Sequence, residues 1–490
     1  MHKKNLLQNT IRMTTNNNLT QRVEKLKGVL QSEDITFLDC KIGSNSAVLI
    51  FANDLVNKES LGELILRPAM NFNSSLDGQS FFDIFLSPEK KKLNSDDMVV
   101  SEVVSGSAVL IAEKIDYALS FGLRQFEKRA ISEPPTSTVI KGPREGFVES
   151  LPVNVSLMRR RIKSPSLRFE NIVIGEYSKT PVALCYIDGI ADKQLIRKIK
   201  DKLGTISIDA VLDASYVSKF LGEHKSSLFK QVGNTEKPDI LSAKILEGRV
   251  AIFVDGSPIA LTVPYLLVED FQSASDYYNS SYAATFARCL RLVSVLFALF
   301  LPAFFVAAEL FHLQLIPLSF LLTIVNSIKG IPLSPSHEMF FTVLIFEILN
   351  EASVRMPKYV GMVVSIVGGL VLGETAVNAG IISAPTLMIV ALSGICLYTV
   401  PELEQSFSIL RILFLIVAGS SGSYGILALI AIIVIYLVSF ENYGSPVFAP
   451  FAPLIKSDLK DTLYKDFLSD MEMRPLSIKN KNKRRMKNHD

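Results

Sequence analysis

The 490-residue chain has no tryptophan, five histidines and four cysteines. Cys40, Cys185, Cys289 and Cys396 are isolated, with no C-x-x-C pair, which argues against a disulfide framework or a zinc site. "HEMFF" from His337 begins like a zinc-protease helix, but its fifth residue is Phe341 where a second histidine is required, so no metal is expected. There is no phosphate-cradling glycine loop and no G-x-S-x-G, and Asp188, Asp255 and Asp276 read as turn or cap residues. No cofactor and no catalytic residue follow, and the chain is read as a non-enzyme. A formal net charge of +3 supplies no global field to recruit nucleic acid. The opening "MHKKNLLQNTIRMTTNNNLT" lacks the apolar core of a signal peptide. It reads as a polar tail, taken to residue 29, and the first 280 residues are expected on the cytoplasmic side.

What the chain does have is 49% hydrophobic residues, distributed unevenly. Charges recur every few residues up to about residue 285, then nearly vanish from Leu292 to Phe440. The first half repeats itself. "AVLIFANDLVNKESL" from Ala47 aligns with "VALCYIDGIADKQLI" from Val182, an offset of 135 residues. "GSAVLIAEKIDYAL" from Gly106 aligns with "GRVAIFVDGSPIAL" from Gly248, an offset of 142. The first pair reads as a strand, a turn and a helix start; the second reads as a hairpin. Two α/β subdomains are expected, at residues 30–140 and 165–280.

Between them, residues 141–164 carry Arg144, Glu145, Glu149, Arg159, Arg160 and Arg161. A helix from about Glu149 to Lys163 is expected, with Pro152 tolerated in its first turn. The arginines would spread around its axis without an aromatic platform, a poor face for nucleic acid. The stretch reads as a basic connector that bridges the subdomains or neighbouring subunits.

The second half reads as an α-helical polytopic membrane domain, residues 281–445, followed by a basic tail at 446–490. "LVSVLFALFLPAFFVAAELF" from Leu292 is long enough to span a bilayer. Further candidates start at Tyr359, Ile381, Ser406 and Tyr424, and "SGSYG" from Ser421 reads as a turn. "LQLIPLSFLLTIV" is too short to cross and is broken by Pro317. Basic residues before the first span and in the tail place both ends on the cytoplasmic side, with four to six crossings.

The segment from Ser336 to Lys358 is apolar on average yet charged. A charge at mid-bilayer costs about 2.5–3.5 kcal/mol on insertion scales, so such residues usually face protein or water. At about 100° per residue, His337, Glu347, Asn350, Glu351, Arg355 and Lys358 share a sector of about 140°. Two readings stand side by side. In one, the helix lines a water-filled path, with Glu347, Glu351, Asn350 and Arg355 facing it. In the other, it lies in the headgroup region and these charges are ordinary i,i+4 neighbours. Gly361, Ser365, Gly369 and Gly373 form a small-residue stripe suited to helix packing.

"GPREGFVESLPVNVSLMRRRI", "LEGRVAIFVDGSPIAL", "SDYY" and "RMPKYVGMVVSIVGGLVLGETAVNAG", with "FAPFAP" and "SDLKDTL", closely resemble the A subunits of GerA-type spore germinant receptors. The resemblance runs from about residue 30 to 475. It implies a multi-pass subunit of the spore inner membrane, both termini facing the spore core. It also implies a homo-oligomer in membrane lipid that acts as a nutrient-gated cation channel. The implied partners are a B-type integral-membrane subunit carrying the nutrient pocket and a C-type lipoprotein subunit. The chain departs from the family pattern in having Asn350-Glu351-Ala352 where many members have Arg-Glu-Ala, and Glu374-Thr375-Ala376 where Gln-Ala-Ala is usual. Two alternatives remain: a family relative that amplifies germination without sensing nutrient, and a secondary transporter. Transporter repeats fall within the membrane half, and here the repeat lies in the soluble half.

Overall fold

The computed structural model describes residues 19–74, 76–124, 141–357 and 373–486. The first subdomain starts with α1 (Leu19–Val29), followed by β1 (Ile35–Ile42) and β2 (Asn45–Ala52). Three short helices come next: α2 (Lys58–Leu61), α3 (Arg67–Asn71) and α4 (Gly78–Asp83). The unit closes with β3 (Lys90–Leu93), α5 (Asp96–Val104), β4 (Ala108–Ala112) and β5 (Ala118–Phe121). The second subdomain repeats this plan. Its elements are α6 (Leu151–Arg161), β6 (Leu167–Ile174), β7 (Thr180–Ile187), α7 (Lys193–Gly204), α8 (Ala214–Leu221), β8 (Gly233–Thr235), α9 (Pro238–Leu246), β9 (Val250–Val254) and β10 (Ala260–Val263).

The two antiparallel sheets have the same order, β1-β2-β4-β5-β3 and β6-β7-β9-β10-β8. The segments aligned by offset fall on β2 and β7 and on the hairpins β4–β5 and β9–β10. These central strands read as unbroken apolar runs because helices cover both faces. In β2, Ala47, Leu49 and Phe51 meet the α2–α4 side, while Val48 and Ile50 meet α1 and α5. In β7, Val182 and Leu184 meet α7 and α8, while Ala183, Cys185 and Ile187 meet α6 and α9. Strand alternation thus feeds two cores per sheet.

This plan moves two boundaries. The polar tail expected to reach residue 29 gives way at Leu19 to α1, whose Val23 and Leu26 are buried in the first core. The stretch read as a connector contains α6, the second repeat's counterpart of α1. Its Leu151, Val155, Leu157 and Met158 are core residues, and a proline lies in its first turn, as expected.

After α10 (Ala274–Tyr278), the helical half runs through α11 (Ser281–Phe311), α12 (Leu318–Ile328), α13 (Pro335–Arg355), α14 (Gly373–Asn378), α15 (Ala384–Leu397) and α16 (Glu404–Ser439). Among the described residues, two helices, Ser281–Phe311 and Pro401–Ser439, are long and apolar enough to cross a membrane. The second folds back on itself. Gly422 has φ 61° and ψ −147°, a conformation open in practice only to glycine. The Ser406 hydroxyl donates to the Leu228 carbonyl and the Tyr436 hydroxyl to Ser227. Residues 30 apart on a straight helix would be separated by about 45 Å, so 404–421 and 423–439 form an antiparallel hairpin. The expected "SGSYG" turn lies at its tip, beside Phe311 at the far end of α11. The 11 residues of α12, capped by Pro317, span about 16 Å, roughly half a hydrocarbon core.

Candidate functional site

The helical half contains a polar seam in apolar surroundings. Arg411, on arm 404–421, is 1% exposed. Its guanidinium pairs with Glu347 of α13 and donates to the Ser393 hydroxyl of α15 at 3.1 Å. Ser393 in turn donates to the Ala298 carbonyl of α11 at 2.9 Å. One helical turn toward the α/β half, the Asn350 amide donates to Glu404 at 2.6 Å and accepts from the Tyr398 hydroxyl at 2.8 Å. At the opposite end, buried Glu338 accepts from the backbone N–H and hydroxyl of Ser383, both at 2.7 Å, and so tethers the start of α15 to α13. α13 and α15 therefore run parallel, with Glu338 and Ser383 at one end and Asn350 and Tyr398 at the other.

The four residues expected on one path separate in this protomer. Glu347 and Asn350 enter the seam. Glu351 and Arg355 pair with each other at i,i+4 on the surface of α13, with side chains 64% and 77% exposed. Gly373 begins α14 beside Leu387 of α15. Gly361, Ser365 and Gly369 lie outside the described residues. Arg411 did not figure in the sequence reading, although a lone arginine in "SFSILRILFLIVAGSS" is the kind of charge an apolar helix keeps only with a partner.

A second cluster joins the halves. The loop after α8 places Phe229 among Val295, Leu403 and Phe407. Lys230 follows, pairing with Glu402, donating to Asn234 at 2.6 Å, and lying 3.6 Å from Asp270. Burial pushes the Asp270 carboxyl up to about 6, against the pull of Lys230 and the Tyr265 hydroxyl. At the foot of α11, Asp276 takes both arginines expected as positive-inside signals. Arg291 lies at 2.7 Å and Arg288 at 3.2 Å, and Arg288 also reaches Asp461 of the C-terminal segment at 3.0 Å. Burial opposes ionisation of Asp276, but Arg291, the Ser273 N–H and Arg288 hold its carboxyl below the usual range. Nearby, burial would raise Glu269, but Arg249 and Lys244 outweigh it and bring the carboxyl down to about 2.

The third cluster involves the basic stretch. Arg159, 1% exposed, makes a two-pronged pair with Asp34 of the first subdomain, both contacts at 2.7 Å. It also donates to the Ser32 hydroxyl at 3.0 Å. Arg160 and Arg161 both reach Glu145, at 3.3 and 2.9 Å. Glu149 is exposed, and its carbonyl accepts from the Gly256 N–H. Arg144 is exposed as well. The described contacts of Arg159 thus bridge the subdomains within one chain.

Comparison with known proteins places this arrangement. The family described as "Bacillus/Clostridium GerA spore germination protein" matches residues 21–477. The chain is 35% identical to spore germination protein KA of Bacillus subtilis over 472 residues, covering 94% of this chain and 86% of that protein. It is 34% identical to the B. subtilis membrane protein YfkQ, covering 94% and 91%. It is also similar to the crystal structure of the N-terminal domain of the A subunit of the Bacillus megaterium spore germinant receptor GerK3. That likeness is at 29% identity and a TM-score of 0.41, over 51% of this chain and 96% of that one. The chain belongs to the GerA spore germination family.

Proposed function

We propose that this GerA-family chain is the A-type membrane subunit of a nutrient-responsive spore germinant receptor, and that it acts by conducting cations rather than by catalysis. In this reading α11, α13, the span expected from Tyr359, α15 and the two arms of α16 make six crossings of the spore inner membrane, with both chain ends facing the core. Several copies assemble around a path for ions, alongside a B-type membrane subunit and a C-type lipoprotein. The observation that carries the reading is the Glu347–Arg411–Ser393 seam. Burying an ion pair in an apolar bundle is costly and adds little to stability over well-packed hydrophobic residues. A seam of this kind therefore suits a bundle whose interior must admit charge. The separation of Glu347 from Glu351 refines the proposal. Glu347 sits within one protomer's bundle, and Glu351, on the outer face of α13, would reach a path formed between copies.

The test is potassium release from spores that hold this chain and its presumed partners but no other receptor of the type. Nutrient-triggered release is expected with the wild-type chain, and altered flux with Glu347→Gln and Glu351→Gln at unchanged protein level. Absence of release to a full nutrient panel, with the protein present, would overturn the receptor reading. Wild-type flux in both variants would remove the carboxylates from the mechanism.

A further inference from the structure

A cleft of about 620 Å³ lies between the subdomains, with α1 and the start of β1 on one side and β6, β7 and α7 on the other. Its chemistry is unbalanced. On its floor Arg168 is 8% exposed, donates to the Val29 carbonyl at 3.2 Å, and finds its nearest carboxylate, Asp188, only at 4.0 Å. The adjoining buried carboxylate, Asp34, is already taken by both prongs of Arg159. Two buried guanidiniums therefore share one buried carboxylate, since the Asp188 side chain is 48% exposed. Burial pushes the Arg168 guanidinium below its usual pKa, and the charge of Arg159 adds to that push against Asp188.

The walls add positive charge. Lys193, Ile196, Arg197 and Lys200 recur at helical spacing on α7 and line the cleft. Lys200 is paired with Glu170, which also accepts from the Tyr186 hydroxyl, so that carboxylate is spent. Glu33 is engaged too, accepting from the Asn171 N–H at 2.6 Å. Among the described residues, neither Lys193 nor Arg197 forms an ion pair. Opposite them, the Lys27 ammonium lies over the Phe37 ring, 5.5 Å from its centroid. Once the Lys200–Glu170 pair is set aside, four cations, Arg168, Lys193, Arg197 and Lys27, face two carboxylates, Asp188 and Glu33.

We propose that this cleft binds a small polyvalent anion of the phosphate class, inorganic phosphate or a phosphate monoester. Arg168 offers the planar fork suited to phosphate oxygens, and Lys193, Arg197 and Lys27 supply charge from the walls. Lys27 belongs to the first subdomain and the other three to the second, so a bound anion bridges the two.

The test is independent of whether the chain conducts ions. The full-length protein, in nanodiscs of zwitterionic lipid at low ionic strength, is titrated with radiolabelled inorganic phosphate and, separately, with glycerol phosphate. Saturable binding that weakens with added salt is expected. The Lys193→Gln/Arg197→Gln variant, which changes only α7 side chains at the cleft wall, should bind at least about tenfold more weakly. Lys219→Gln, on the exposed face of α8, should bind as wild type. Tighter binding of the ester identifies an organic phosphate as the occupant, and equal binding identifies inorganic phosphate. No saturable binding of either anion, or equal binding by the double variant and wild type, would overturn the proposal.

Discussion

The first α/β subdomain meets the second across a narrow seam, where Arg159 holds Asp34, the Ser32 hydroxyl accepts from the Phe169 N–H, and the Glu33 N–H donates to the Phe169 carbonyl. The second subdomain, with the same sheet order, is gripped on other sides as well. Its loop inserts Phe229 into the helical half. The C-terminal segment straps its flank, with Arg474 donating to the Leu246 carbonyl at 2.7 Å and the Lys481 N–H to the Ile190 carbonyl at 3.0 Å. The difference lies in a loop. The segment between α4 and β3 is residues 84–89, whereas its counterpart between α8 and β8 is residues 222–232. The longer loop holds both Phe229 and Lys230. Repetition thus preserved the cores, and one lengthened connection gave the second copy its hold on the helical half.

The comparison can be broken most forcefully at its narrow seam. Arg159→Ala leaves Asp34 buried without its partner, a change worth about 3–5 kcal/mol. It is expected to lower the unfolding temperature of the purified full-length protein and to expose α1 and β1 to protease first. Replacing both partners, as Arg159→Met with Asp34→Leu, should recover much of the loss because neither member of the pair is left buried without the other. An unchanged melting curve for the single variant would mean that the backbone contacts alone hold the subdomains together. The next effect is at the other attachment. Phe229→Ala opens a cavity among Val295, Leu403 and Phe407 at a cost of about 3 kcal/mol. Hydrogen exchange should then rise in residues 224–234 and 401–407, while β1 and β2 keep their protection. Faster exchange in β1 and β2 as well would show that the two attachments are not separable.

How much of this was legible depended on how local its causes are. The repeats could be read because β2, β7 and the two hairpins are short apolar runs bounded by turns, and the Gly422 turn could be read from "SGSYG". The helix α1 carries a pattern that was overlooked: Leu19, Val23, Leu26 and Leu30 stand four, seven and eleven residues apart, one face of a helix, but a polar stretch precedes them. The basic stretch was seen as a joint, and Arg159 does bridge the subdomains. Yet its helix belongs to the second core, and its burial depends on Asp34, 125 residues away, which no local pattern reports. The same holds for the charges of α13. Spacing put Glu347 and Glu351 on one sector, but only the approach of Arg411 from another helix divides them.

The finest comparison concerns two carboxyls, one in each attachment region. Asp54, in the first subdomain, is pushed up to about 6 chiefly by burial and then by Asp34; Asp270, at the junction, reaches about 6 through burial, opposed by Lys230 and with Glu269 and Glu402 adding to the rise. Both start from an ordinary value of 3.8. A carboxyl raised on folding binds its proton more tightly in the folded state, so stability falls as pH rises from about 4 to about 6 and is level above that. One such group contributes a slope of at most about 1.4 kcal/mol per pH unit. Asp270→Asn keeps an acceptor for the Tyr265 hydroxyl and leaves Lys230 its contact with Glu402. It should therefore flatten the pH dependence of the unfolding temperature between pH 4 and 6, without loss of stability at pH 7. Asp54→Asn should flatten it separately, and if the two attachments are independent the two changes add. A wild-type slope in both variants would place the titration elsewhere. A combined effect smaller than the sum would mean that the first subdomain senses the junction through the second, which the narrow Arg159–Asp34 seam argues against.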